Sequence, residues 1–235
     1  MDDVFYFKQF SIRQRHSAMK AGTDGVLLGT WVNLKHVNSI LDVGTGTGLI
    51  ALMLAQRTDG KVKIDALEIE EGALADAQEN FEASPWKEKL HLHAQSIRDF
   101  HPSYHYDLIV SNPPYFIKAL KSPNQKRNTA RHSENHFHDE LIRFASGHLT
   151  TSGRLAVILP PETGTLFRKG AVASGLFPSR FTAFKSRKEK PVSRWLMEFS
   201  RQIEPEVKSE LILYEDGLNW TDDYRKLVSD FYLNG

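Results

Sequence analysis

Short apolar runs, each broken by glycine, proline or an acid, recur along the chain and alternate with longer stretches of helical composition. Residues 39–43 (Ser-Ile-Leu-Asp-Val) run into Gly44-Thr45-Gly46-Thr47-Gly48, and 49–55 (Leu-Ile-Ala-Leu-Met-Leu-Ala) have the composition of a buried helix. The pattern predicts strand, glycine loop, helix. Residues 62–67 read as a second strand ending at Glu68, and 71–83, rich in Ala, Leu, Gln and Glu, as a second helix stopped by Pro85. Further strands are expected at 90–94, 106–111 and 154–159, the last preceded by a turn at Gly153 and ended by Pro160-Pro161, with a helix over 138–148. Leu108-Ile109-Val110 and Ala156-Val157-Ile158-Leu159 lack polar alternation, so these strands are expected to be covered on both faces, as in a doubly wound, mostly parallel α/β sheet. Residues 181–184 and 195–200, with little helical sequence between them, suggest an antiparallel hairpin on the sheet edge.

Composition narrows the picture. A chain of 235 residues fits one α/β domain spanning 1–235, and no repeat, low-complexity tract or linker divides it. Its longest unbroken apolar run, 49–55, is far shorter than a membrane span, and the start Met1-Asp2-Asp3 lacks a signal peptide's basic region, so a cytoplasmic protein is expected. The absence of cysteine excludes disulfides, Cys-ligated zinc, cysteine-bound iron–sulfur clusters and a cysteine nucleophile. A formal net charge of +1 leaves no global basic field, yet residues 180–201 hold seven Lys/Arg against two acids. Phosphate contact and a solvated loop between two strands both stay open for that segment.

The first candidate site joins Asp42, Gly44, Thr45, Gly46 and Gly48 to Glu68, twenty residues beyond the last glycine. Glycines at a strand's carboxyl end let backbone pass close to a ligand, and an acid at the end of the second strand sits where ribose hydroxyls lie. Dinucleotide enzymes carry G-x-G-x-x-G, whereas here the spacing is G-x-G-x-G with an acid two residues ahead, which makes NAD the weaker reading. S-adenosylmethionine (SAM) fits better because it has a ribose and adenine but no pyrophosphate. A tight strand-to-helix turn alone would also use these glycines.

The second candidate is Ser111-Asn112-Pro113-Pro114-Tyr115-Phe116, at the end of the fourth strand. Pro113 drives Asn112 out of the helical region and offers no N–H, and Pro114 stiffens the next step, so the loop becomes a rigid set of acceptors. A proline turn explains Pro-Pro but not the amide before it and the aromatic after it. An aromatic or amide nitrogen is a poor nucleophile because its lone pair is delocalised. If the Asn112 side-chain oxygen and the Pro113 carbonyl each accept one of its hydrogens, the lone pair is turned toward a methyl donor, and positioning replaces a strong base.

The glycine loop, Glu68 and Asn112-Pro113-Pro114-Tyr115 resemble class I SAM-dependent methyltransferases that act on planar nitrogen. More closely, Phe7-Lys8-Gln9-Phe10, the stretch His16-Ser17-Ala18-Met19-Lys20-Ala21-Gly22-Thr23-Asp24-Gly25-Val26-Leu27-Leu28-Gly29, Thr129-Ala130-Arg131-His132 and Phe231-Tyr232-Leu233 resemble the bacterial tRNA1(Val) (adenine(37)-N6)-methyltransferase family. The resemblance covers nearly the whole chain. It implies a Rossmann-like, mostly parallel seven-stranded sheet with an antiparallel edge hairpin, and N6-methylation of adenosine in the anticodon loop of a tRNA. It also implies that residues 1–38 cover the cofactor. Lys20, Gly22, Thr23 and Asp24 would fold over SAM, Asp42, Gly44, Thr45, Gly46 and Gly48 would border its methionine end, and Glu68 with Ile69 would border the ribose. Ser96 and Ile97 would lie toward the adenine, where relatives often have an acid, and Asn112, Tyr115 and Phe116 would meet the target base.

The glutamine-amide methyltransferases of release factors share the tetrapeptide but usually carry an extra N-terminal helical domain, and only about forty residues precede the first strand here; they are the runner-up. DNA adenine methyltransferases more often have Asp in place of Asn112. A non-catalytic SAM- or RNA-binding module is the alternative from another class. Candidate RNA contacts are Lys118, Lys121, Lys126, Arg127 and Arg131 with Lys185, Lys188 and Lys190. His132, Glu134, His136, His138 and Asp139 form a cluster that lacks metal-ligand order, and no metal is expected. Trp31, Trp86, Trp195 and Trp220 are expected to pack in the core rather than to stack on bases.

Overall fold

A computed structural model of the chain describes residues 3–17, 20, 22–114 and 126–233, with the backbone alone over 126–135. Strands β1 (Val4–Tyr6) and β2 (Ser11–Arg13) form a small antiparallel sheet, followed by α1 (Thr23–Trp31). The chain continues through β3 (Ser39–Val43), α2 (Leu49–Arg57), β4 (Lys63–Glu68), α3 (Glu71–Glu82), β5 (Leu90–Ala94) and β6 (Tyr106–Ser111). Then come α4 (Lys126–His148), β7 (Leu149–Leu159), α5 (Pro161–Ala173), β8 (Phe177–Lys185), β9 (Arg194–Ser200), β10 (Val207–Ile212) and α6 (Asp222–Val228).

The main sheet has the order β10-β8-β9-β7-β6-β3-β4-β5 and is parallel except where β9 pairs with β7 and with β8. It therefore has eight strands, one more than expected. The extra strand, β10, pairs in parallel with β8 and covers the outer edge of the β8–β9 hairpin. Its sequence, Val-Lys-Ser-Glu-Leu-Ile, is exposed over its first four residues, so no apolar run announced it.

Alternation across the sheet divides the core in two. Ile40, Ile64, Leu108, Val110, Ala156 and Ile158 pack with α1, α2 and α6 on one face. Leu41, Val43, Leu67, Ile109, Leu155 and Val157 pack with α4 and α5 on the other. With both faces covered, the strands dispense with polar alternation, as their sequences predicted. Helix α1 approaches α2 closely, because a Cβ on Gly25 would lie 2.9 Å from Leu49 and one on Gly29 would lie 2.7 Å from Met53 Sδ. Two glycines four residues apart thus set the contact between the N-terminal helix and the helix that follows the glycine loop.

The N-terminal segment is held by side chains of α3. Buried Asp76 accepts hydrogen bonds from the backbone N–H groups of Arg15, His16 and Ser17, and Asn80 accepts from Arg13 N and donates to Arg13 O and Thr47 O. Beside it the two ends of the chain meet. Phe7 stacks on Phe10 with ring centroids 4.6 Å apart, both Phe231 and Tyr232 lie against Phe7, and Lys8 N donates to Phe231 O at 2.8 Å. Among the described residues, no helix is long and apolar enough to cross a membrane.

Candidate active site

The carboxyl ends of β3, β4, β5 and β6 open onto a cavity of about 730 Å³. Its floor is the glycine loop. Gly44 and Gly46 have φ of +71° and +57°, and a Cβ built on either meets nothing within 4 Å. The loop is fixed from beneath and from the side. Gly44 N and Thr45 N both donate to Leu67 O at 2.9 Å, and Gly46 N donates to Glu68 Oε2 at 2.9 Å. Glu68 Oε1 accepts from Ile69 N and Glu70 N, so one carboxylate ties the end of β4 to the loop after β3.

Of the residues expected near a cofactor, Lys20, Gly22, Gly44, Thr45, Gly46, Glu68, Ile69, Ser96, Ile97 and Asn112 all line this cavity. Ile69 is 68% exposed, a large apolar side chain turned toward the opening. Four of the expected residues stand off the wall. Gly48 caps α2 at φ +84°, and a Cβ there would meet the Phe81 ring at 2.5 Å, so its glycine is required by packing. Thr23 is exposed in the first turn of α1, and Asp24 beside it pairs with Arg194, Nε to Oδ2 at 2.7 Å. Asp42 is fully buried below the loop, where its Oδ2 accepts from Thr45 Oγ1 at 2.6 Å while Oδ1 has no hydrogen-bond partner among the described residues. Burial pushes its pKa up to about 7, against the lowering effect of the Thr45 hydrogen bond.

Other wall residues carried no expectation. Asp99 is one: a turn in which Asp99 N and Phe100 N donate to Ser96 O brings it back beside Ser96, whose hydroxyl donates to Asp99 Oδ2 at 2.5 Å. The acid sought directly after β5 is therefore three residues further on, and the Ser-x-x-Asp spacing was its signal. Ser17, Gly25, Glu70, Arg98, Phe137 and Glu140 also line the cavity.

On the β6 side Asn112 lines the cavity, and its Oδ1 is buried and unpartnered among the described residues. Pro113 is buried and off the wall, and Pro114, exposed, takes a place on it. Tyr115, Phe116, Lys118 and Lys121 lie outside the described residues, as do the side chains of Lys126, Arg127, Arg131, His132 and Glu134. Within the cluster of histidines, His136 pairs with Glu140 (2.8 Å) on the cavity side. His138 is buried edge-on to Phe167, and desolvation holds its pKa near 4. Among the described residues no group of three or more His, Asp or Glu side chains is arranged to hold a metal.

The basic run over 180–201 is mostly engaged within the fold. Arg180 lies 4.1 Å over the Trp31 ring and donates to Trp31 O, Lys185 pairs with Glu210 at 2.6 Å, and Arg187 bonds Gly217 O. Lys188 and Lys190 stand exposed on the turn between β8 and β9.

The donor set distinguishes between the two cofactor readings. A pyrophosphate needs loop N–H groups, yet Gly46 N is directed to Glu68, and the wall carries the carboxylates of Glu68, Glu70, Asp99 and Glu140. Among the described residues its cations are Lys20, paired with Asp3, and Arg98, paired with Glu140. An acidic cradle with open space above Gly44 and Gly46 fits a cationic sulfonium nucleoside and disfavours an anionic dinucleotide.

Residues 16–165 match the family model described as methyltransferase small domain. The tRNA1(Val) (adenine(37)-N6)-methyltransferase of Photorhabdus laumondii is 43% identical over 233 residues, 98% of this chain and 96% of that protein. The chain belongs to this methyltransferase family. The protein of the same name from Yersinia pestis (strain Pestoides F) is likewise 43% identical, over 98% of this chain and 94% of its own. Among solved structures, one titled a predicted O-methyltransferase from Agrobacterium tumefaciens superposes with a TM-score of 0.67 at 18% identity, over 88% of this chain and 96% of its own. A methyltransferase from Pyrococcus furiosus gives 0.54 at 22%, over 72% and 80%. These two likenesses speak for the fold alone. The family works with SAM, in agreement with the acidic glycine-floored cavity.

Proposed function

We propose that this chain transfers a methyl group from SAM to the exocyclic N6 amine of adenosine in tRNA, at position 37 in the anticodon loop of tRNA1(Val). The observation that carries the proposal is Asn112: an amide at the end of β6, on the wall shared with the glycine loop, with a buried oxygen that lacks a partner among the described residues. An unpaired buried acceptor is costly, by about 1–3 kcal/mol, and an amine hydrogen delivered there removes that cost.

SAM supplies an electrophilic methyl group when bound. Gly44 and Gly46 would pass under its amino-acid end, Glu68 would accept from ribose hydroxyls, and Ser96, Ile97 and Asp99 would border the adenine with Ile69 across from them. Asn112 Oδ1 and the Pro113 carbonyl would accept the two N6 hydrogens, drawing the nitrogen out of conjugation and aiming its lone pair at the methyl carbon; as the N–CH3 bond forms the S–CH3 bond breaks, and the N6 proton that the product loses passes to solvent, so no strong base is required. Tyr115 is assigned to stack on the target ring, a contact worth about 1–3 kcal/mol in single-strand binders. On this reading the chain is one catalytic unit, and residues 1–38 cover the cofactor; Ser17, Lys20 and Gly22 on the wall support that. The partner is the anticodon stem-loop, whose adenine must leave its stack at a cost of a few kcal/mol. Lys188 and Lys190, with Arg127 and Arg131, are its candidate phosphate contacts.

The test is incubation with methyl-labelled SAM and either total tRNA lacking the modification or a release factor, followed by nucleoside and peptide mass spectrometry. Label in N6-methyladenosine at position 37 is expected. Label on a glutamine side chain, with none in tRNA, would overturn the proposal in favour of amide methylation.

A further inference from the structure

The edge of a sheet is a row of unpaired N–H and C=O groups that another strand can join. At one end of the main sheet β10 presents such an edge. It pairs on one side with β8, in unbroken register from Val207 opposite Arg180 to Ile212 opposite Lys185. Leu213 N donates to Lys185 O, so by the alternation of a strand Val207, Ser209 and Leu211 turn their backbone groups toward β8. Lys208, Glu210 and Ile212 turn theirs outward. Thr221 Oγ1 donates to the Ile212 carbonyl, but the outward N–H and C=O groups of Lys208 and Glu210 have no partner among the described residues. Val207, at the head of the strand, is 65% exposed.

A lysine on an edge strand ordinarily deters pairing. Here an acid follows it two residues later on the same face of the sheet, and Lys208-Ser209-Glu210 becomes its own complement when the strand is reversed. Two β10 strands laid antiparallel must set outward residues opposite outward residues, which leaves registers centred on Lys208, on Ser209 or on Glu210. Centring on Lys208 puts lysine opposite lysine and Glu206 opposite Glu210, and centring on Glu210 puts glutamate opposite glutamate. Like charges directly opposite are destabilising. Centred on Ser209, Lys208 of each copy stands opposite Glu210 of the other, each such pair exchanges both of its outward backbone hydrogen bonds, and Val207 faces the second copy's Leu211. The side chains of Lys208 and Glu210 are 68% and 44% exposed, so each has room for this partner beside Glu206 and Lys185, with which they pair within the chain.

We propose that β10 is the interface of a twofold dimer, in which a second copy of this chain joins the sheet antiparallel about Ser209. The twofold uses up one edge of each copy and closes at two, whereas β10 laid against the opposite edge strand β5 of another copy would run on into a filament. In the order β10-β8-β9-β7-β6 the interface stands four strands from β6, about 19 Å from the strand that ends beside the cavity. Reversal of the second sheet sets the two cavities at opposite ends of the joined sheet, and each keeps its own opening. A single pair of short strands makes a small contact, so association is expected in the range of transient complexes.

The test is sedimentation velocity of the full chain between about 1 and 200 µM, where the mass should rise from one chain toward two. Lys208→Glu and Glu210→Lys should each weaken self-association about tenfold or more, because either change sets like charges opposite one another twice. An equimolar mixture of the two variants should dimerise again, since the heterodimer restores both opposite-charge pairs; loss of an ion pair within a chain could not be rescued by mixing. Urea unfolding separates weak association from loss of fold, and in the wild type amide exchange at Lys208 and Glu210 should slow as concentration rises. A chain that stays monomeric throughout the range would overturn the proposal. So would dimers indifferent to the single changes, folded variants that fail to rescue one another, or dimerisation that leaves those two amides unprotected.

Discussion

Two glycines of one loop, Gly46 and Gly48, are expected to fail in different ways when replaced by alanine. Both have positive φ, +57° and +84°, so either alanine carries left-handed strain of about 1–2 kcal/mol. At Gly46 the added methyl meets nothing within 4 Å and enters the cavity, whereas at Gly48 it would meet the Phe81 ring at 2.5 Å. Overpacking of that kind adds about 1–3 kcal/mol, so Gly48→Ala should cost about 2–5 kcal/mol of stability and Gly46→Ala only about 1–2. Affinity should invert the ranking. The Gly46 methyl occupies space a ligand needs, which predicts at least about tenfold weaker S-adenosylhomocysteine binding, while folded Gly48→Ala should bind within about threefold of wild type. Urea unfolding measures the first ranking and calorimetry the second. Unaltered affinity in Gly46→Ala, or a smaller stability loss in Gly48→Ala than in Gly46→Ala, would refute the division of the loop into a cradle and a packing cap.

Asn112→Ala should lower methyl transfer to tRNA by about 10²-fold or more while S-adenosylhomocysteine affinity stays within a few fold; equal loss of both would make the residue structural. Asp42, raised from 3.8 to about 7, binds its proton more tightly in the folded chain, so the stability it contributes is full below about pH 4 and is lost as pH rises to about 7. Asp42→Asn should therefore gain on wild type in unfolding free energy between pH 4 and 8, by several kcal/mol, in parallel urea titrations, and a difference independent of pH would count against the shift. Replacing Lys188 and Lys190 with Glu should raise KM for tRNA and flatten its salt dependence, with kcat little altered; an unmoved KM would remove the turn from the RNA interface.

What could be read from sequence follows the range of the forces involved. The strand, glycine loop and helix over 39–57, the acid ending β4 and the Asn-Pro-Pro corner after β6 are local: backbone conformation and burial of a contiguous run determine them. Helix α1 escaped because its two glycines interrupt a helical pattern, and their purpose, contact with Leu49 and Met53, lies more than twenty residues away. Asp76 and Asn80 look like polar positions on an amphipathic helix, yet they are buried on backbone groups some sixty residues earlier. Charge left two readings open for the same reason. Arg180, Lys185 and Arg194 read as part of a basic run, but their partners Trp31, Glu210 and Asp24 belong to distant elements that sequence order does not reveal.

The packing of Phe7, itself stacked on Phe10, against Phe231 and Tyr232 has a consequence for how the molecule is made. During translation the amino-terminal strands emerge first, and that aromatic knot cannot tie until residues more than two hundred positions later have left the ribosome. Until then the nascent chain lacks one of the fastenings of the segment that leads to the SAM pocket, so full closure of the pocket waits on the packing of Phe231 and Tyr232.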